Sequence, residues 1–196
     1  SCAWRATWAA DGGGVLLNQA PHNLDLWQWI CGMPIRVRAF CGFGRWHDIE
    51  VEDDVTAYAE YANGATGVFI TTTGETPGTN RLEITGTKGK MVAEGTTLTF
   101  WKNEVDGAEW CRDCSRGFDK PKCEKIEYHF ENAGPQHQGI LQNFTDLLVH
   151  GAPLLASGSE GITGLSICNA MMLSSWKNDF VNQPIDGDDF YGELKK

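Results

Sequence analysis

Between residues 35 and 102 the chain alternates short runs rich in β-branched and aromatic residues with tight-turn signals, and this punctuation restricts it to successive strands joined by hairpins. The runs fall at 35–46, 55–61, 66–73, 81–86, 90–94 and 97–102. Asn63-Gly64 separates the second from the third, and both residues tolerate the positive φ that a two-residue hairpin turn demands. Thr87-Lys88-Gly89 marks another tight turn. Strands joined this way run antiparallel. One more strand is expected at 125–131, and a short terminal one at Pro184-Ile185-Asp186.

Helical periodicity brackets the strands. Leu16, Ala20, Leu24, Trp27 and Cys31 recur at helical spacing and form an apolar stripe. A helix is therefore expected from about Gly14 to Cys31, stopped by Gly32 and by Pro34 just beyond. Pro21 kinks this helix one residue before His22, or else the helix begins at Pro21. On a continuous helix Asn18, His22 and Asp25, spaced four and three apart, share one polar face. Helices are also expected at 136–150 and 160–179, the second with Leu165, Cys168, Met171, Met172 and Trp176 as core residues. Residues 103–124 read as a long loop. The fold class is α+β: an open, largely antiparallel mixed sheet with helices packed on one face, in a single domain over 1–196.

Composition excludes some functions. A net charge of −10, with no local Lys/Arg cluster, disfavours phosphate backbones and anionic lipid, so neither nucleic acid nor a membrane is an expected partner. Seven cysteines in a chain of 196 residues fit free thiols in a reducing, cytoplasmic setting. No apolar run approaches a membrane span, and no targeting segment is visible. The chain opens at Ser1 rather than Met, and a place within something longer is one expectation.

Several ordered motifs resemble one family. Gly12-Gly13-Gly14 is followed by Asn18, His22 and Asp25 where the glucose-fructose oxidoreductase and inositol dehydrogenase (Gfo/Idh/MocA) family has Asp-x-x-x-His-x-x-Asp. Val51-Glu52-Asp53-Asp54, Asn63-Gly64-Ala65-Thr66-Gly67 and Ile84-Thr85-Gly86-Thr87-Lys88-Gly89 are similar to further stretches of its substrate domain. Gly164-Leu165, Leu173-Ser174-Ser175-Trp176 and Pro184-Ile185-Asp186 resemble its closing helix and strand. The strand-GxGxxG-helix unit of the family's N-terminal Rossmann domain is not in this sequence, nor is its Glu-Lys-Pro motif.

The resemblance implies the substrate domain of an NAD(P)-dependent dehydrogenase acting on CH–OH groups of a sugar, inositol or related polyol. NAD or NADP is then bound mainly by the missing N-terminal domain, and this fragment alone is expected to be inactive. An imidazole suits removal of the hydroxyl proton, so His22 is the candidate general base. Asn18 replaces the Asp of many members; its amide positions substrate but cannot supply the charge that raises a histidine pKa. Asp25 orients the ring or is a solvated helix carboxylate. Arg5 is placed to bind a carboxylate, a phosphate or hydroxyls, or makes a surface ion pair. Trp4 and Trp8 wall a sugar ring or pack in the core.

Other clusters carry less. Cys111, Cys114, Cys123 and His129 lack the two compact ligand pairs of a structural zinc site, so no metal is expected and the cysteines read as loop thiols. Asp48, Glu50, Glu52, Asp53 and Asp54 read as a solvated strand edge rather than a cation site. An apolar sheet face around Val68 and Ile70, if uncovered, suits a homo-oligomer interface. The competing functional reading is a non-catalytic module of the same fold, for metabolite sensing or oligomerisation.

Overall fold

The computed structural model describes residues 5–114, 117, 119–132 and 134–196. These form two compact units, Ser1–Thr76 with Ala156–Lys196, and Pro77–Leu155.

In the first unit the expected long helix is two helices, α1 (Val15–Asn18) and α2 (Pro21–Cys31). Pro21 takes the first position of α2, where its missing N–H costs nothing. The stripe behaves as its spacing predicts, with Leu16, Ala20, Leu24 and Trp27 all buried. Strands β1 (Arg36–Phe43), β2 (Glu52–Glu60) and β3 (Thr66–Thr72) follow in an antiparallel meander. The Asn63-Gly64 turn is present: Gly64 has φ +84° and Asn63 Oδ1 accepts from the Ala65 amide at 3.0 Å. Along β2, Val55, Ala57 and Ala59 are buried while Thr56 and Tyr58 are exposed, the period of two that divides core from open face.

Helix α5, named in chain order among helices of both units (Gly161–Lys177), covers the inner face with Ile167, Cys168, Ala170, Met171, Met172 and Leu173 buried against β1, β2 and α2. Trp176 packs at the edge of this core, but Leu165 is exposed, contrary to expectation. The terminal strand is not 184–186 but β8 (Val181–Asn182), pairing only with Arg36 and Val37 of β1. Beyond that pairing α5 takes over the edge: Ser174 Oγ accepts from the Ala39 amide at 2.9 Å and Ser175 Oγ from the Cys41 amide at 3.0 Å. This keeps buried backbone donors satisfied where the strand runs out. The sheet order is β3-β2-β1-β8. A final helix, α6 (Gly187–Leu194), starts at an Asp186 cap that accepts from Asp188 N at 2.9 Å.

The second unit is the antiparallel sheet β4 (Arg81–Gly86), β5 (Gly89–Glu94), β6 (Thr97–Asn103) and β7 (Cys123–His129), with α3 (Gly107–Asp113) and α4 (Gln136–His150). Helix α3 corrects the reading of 103–124 as loop: Asp106 caps it, accepting from Ala108 N at 2.9 Å and Glu109 N at 3.3 Å. The architecture is α+β with open antiparallel sheets, and the strands are shared between two sheets. Among the described residues no helix is long and apolar enough to cross a membrane.

Candidate functional site

A pocket of about 210 Å³ opens beside the glycine run, its wall including Arg5, Asn18, His47, Glu52, Asp53 and Thr73. Two adjacent buried carboxylates at the start of β2 build it. Because successive strand residues point to opposite sides, Glu52 and Asp53 reach different segments.

Glu52 holds the glycine run. Each of its carboxylate oxygens lies 2.8 Å from the Gly14 amide, and Oε1 also accepts from Leu16 N at 3.0 Å. Burial pushes this carboxyl above the usual range, and the Gly14 and Leu16 amides pull it back in part. Asp53 holds the segment before β2: Oδ1 accepts from Arg45 N at 2.9 Å, and Oδ2 from Trp46 N at 2.8 Å and His47 N at 3.0 Å. Burial acts to raise its pKa, but the Trp46 and Arg45 amides and the His47 ring outweigh it and hold Asp53 below the usual range. Asp54 pairs with Arg45 at 2.7 Å. Within the acidic run Asp48 and Glu50 are exposed as expected of a solvated edge, but Glu52 and Asp53 are buried and anchor two segments.

The sequence-derived candidates separate. Arg5 and Asn18 lie on the pocket wall, Asn18 being the exposed last residue of α1. His22 is exposed on the first turn of α2 and is not among the lining residues. Asp25 is exposed and accepts from Gln28 Nε2 at 2.9 Å, a pair within α2. The break at residues 19 and 20 means that Asn18 does not share a continuous helical face with His22 and Asp25, as it would on one long helix. Trp4 lies outside the described residues. Trp8 packs in the aromatic cluster of Phe43 and Trp176, with ring centroids 5.9 and 5.7 Å away. Cys111 belongs to α3 and Cys114 caps its end.

Sequence reasoning missed His47 and Thr73. His47 Nδ1 is 3.2 Å from Asp53 Oδ2 and 3.2 Å from Thr73 Oγ1. His47 stands outside any periodic element, so only its proximity to the acidic run was available as a signal.

Residues 1–92 match the family model described as the GFO/IDH/MocA C-terminal domain. Over that stretch, just under half of the chain, the sequence is similar to the C-terminal domain of this family, and every residue lining the pocket falls within it. No protein of curated function matches the sequence. Among solved structures, the fold is similar to levoglucosan dehydrogenase in complex with NADH and levoglucosan, with a TM-score of 0.71 and 20% identity over 93% of this chain and 54% of that one. It is also similar to the WlbA dehydrogenase from Bordetella pertussis in complex with NADH and UDP-GlcNAcA, with a TM-score of 0.63 and 22% identity over 94% of this chain and 49% of that one. A third is the aldose-aldose oxidoreductase from Caulobacter crescentus complexed with glycerol, with a TM-score of 0.68 and 19% identity over 92% of this chain and 51% of that one. The chain thus spans about half the length of the solved structures it matches.

Proposed function

We propose that this chain is the substrate half of an NAD(P)-dependent dehydrogenase acting on a CH–OH group of a sugar, inositol or related polyol. The observation that carries the reading is the coincidence of the family match with the pocket, whose lining residues all lie in the matched segment. The sugar ligands and NADH named for the structural relatives support the substrate and cofactor class. Among the described residues every strand pairing is antiparallel, so no parallel βαβ dinucleotide cradle is present and the cofactor is assigned to the half outside this chain. Its chemistry there is to accept hydride.

This chain's own part is orientation and proton handling. Arg5 and Asn18 donate hydrogen bonds that fix the polyol in the pocket, and Asn18 also accepts through its carbonyl oxygen. His22, exposed on α2, takes the hydroxyl proton as general base; its exposure leaves it accessible to substrate held against the other half. Asp25 is assigned a helix role through Gln28. In the complete protein His22→Ala is expected to lower kcat by about 10²- to 10⁴-fold with nicotinamide reduction as readout. Near-normal turnover overturns the role of His22, and a complete protein that reduces neither nicotinamide over a polyol panel overturns the dehydrogenase reading.

A second reading concerns assembly and is favoured by the open face of the first sheet, where Phe40, Tyr58, Val68 and Ile70 are exposed on three neighbouring strands. In this reading a second copy of the chain covers that face. Ile70→Lys, at a residue 67% exposed, is expected to leave folding intact and to shift sedimentation towards monomer. An unchanged distribution, or a monomeric wild type at high concentration, excludes the interface.

A further inference from the structure

We infer that His47 is a substrate-contacting residue of this pocket, presenting Nε2 to a hydroxyl of the bound sugar or polyol. The inference rests on the proposed reading of the pocket as a polyol site and adds an imidazole to its wall.

The ring is fixed by its surroundings. Asp53 is a buried carboxylate that only accepts, so the 3.2 Å contact places the proton on His47 Nδ1. Thr73 agrees with this assignment: its hydroxyl donates to the Asp53 carbonyl oxygen at 3.4 Å, which turns an oxygen lone pair towards Nδ1 at 3.2 Å. With Nδ1–H engaged, the lone pair of the neutral ring is on Nε2. The His47 amide donates to the same Asp53 oxygen at 3.0 Å, so residue and ring are gripped together. The segment is already closed by the Arg45, Trp46 and His47 amides, and the ring contact therefore orients the imidazole rather than the backbone.

What is oriented reaches the pocket. The His47 side chain is 49% exposed and lies on the wall with Arg5 and Asn18. Glu52 and Asp53 line the same pocket, but their oxygens serve internal amides. The groups presented to a ligand thus include the imidazole nitrogen of His47 and the carboxamide of Asn18. That combination suits hydroxyls, with neutral Nε2 as the acceptor.

The test uses the complete protein with levoglucosan, glucose, myo-inositol and glucuronate as probes. Diethyl pyrocarbonate is expected to modify His47, located by peptide mass, and at least one probe is expected to slow that modification. Two substitutions separate ligand contact from loop support. His47→Asn places an amide nitrogen near Nδ1, and His47→Gln places a carboxamide, whose oxygen accepts, near Nε2. His47→Asn is expected to keep the thermal midpoint yet weaken binding of the protecting probe about tenfold, roughly one lost hydrogen bond. His47→Gln is expected to bind better than His47→Asn. Absence of protection by every probe, or wild-type binding by His47→Asn, overturns the inference. Nicotinamide reduction measured in parallel keeps the two readings apart: turnover without His47 protection removes this residue and leaves the dehydrogenase, whereas protection without turnover does the reverse.

Discussion

Gly14 and Glu52 grip each other twice. The Glu52 carboxylate accepts from the Gly14 amide at 2.8 Å through both oxygens, while the Glu52 carbonyl oxygen lies 1.9 Å from where a Cβ on residue 14 would stand. The third glycine of the run therefore passes a partner strand so closely that no side chain fits between. Gly14→Ala must push the run off β2 and break the carboxylate contact, a predicted loss of about 3 kcal/mol. Urea denaturation is the check, and a loss below about 1 kcal/mol counts against this packing. Gly12→Ala is the control: open space surrounds it, and its φ of +69° leaves only local backbone strain, worth about 1–2 kcal/mol.

The same carboxylate carries a pH signature. Burial lifts folded Glu52 above its ordinary 4.5, so between 4.5 and the folded value the native chain binds more protons than the unfolded one. Its contribution is fully present below 4.5 and is lost as pH rises through the folded value. Glu52→Gln keeps one acceptor for the Gly14 and Leu16 amides and removes the titration. The stability difference, variant minus wild type, is predicted to move in favour of the variant as pH is raised from about 4 towards neutrality. A constant difference across that range refutes the assignment.

Asp53 titrates in the opposite sense. Its folded pKa is held below the ordinary 3.8, so its contribution is present above 3.8 and is lost as pH falls through the folded value. Asp53→Asn retains one acceptor oxygen for donors now spread over two and sets its NH₂ against amide N–H groups. A loss of about 2–3 kcal/mol at neutral pH is predicted, with the difference from wild type shrinking below about pH 4. Equal stability at neutral pH rules out the proposed anchoring.

These two carboxylates also mark where sequence reasoning stops. Period-two patterns and Asn-Gly or Gly turns are local, and β4 and α4 fall on the expected residues 81–86 and 136–150. Strand β8 is two residues long, too short to carry a period, and exists through its pairing with Arg36 and Val37. Helix α3 is only 7 residues long, too short to display a helical stripe, and its one local mark is the Asp106 cap. The glycine run itself was legible, but its partner was not, because Glu52 lies 38 residues from Gly14. Asp53 looks like a surface charge until the amides of residues 45–47 fold around it, and His47 acquires its place only then. The likeness to a family brought Asn18 and Arg5 forward, and the pocket sets them beside an imidazole, His47, that the motif does not include.

Four of the described cysteines divide into two reactivity classes. Cys41 and Cys168 are both pushed up to about 12, chiefly by burial and further by the nearby Glu52 charge, which leaves almost no thiolate near neutrality. Cys168 is buried in the core and its thiol donates to the Leu16 carbonyl at 3.4 Å. Cys111 and Cys123 are exposed in the second unit. A brief iodoacetamide pulse at about pH 8 is predicted to label Cys111 and Cys123 and to spare Cys41 and Cys168, as read by peptide mass. Under denaturant all four are expected to react alike, because the protection comes from packing of α5 on β1 rather than from the thiols themselves. Native labelling of Cys168 at the rate of Cys111 is incompatible with the core described here, since alkylation adds a polar group where Leu16 and the α5 backbone leave no room.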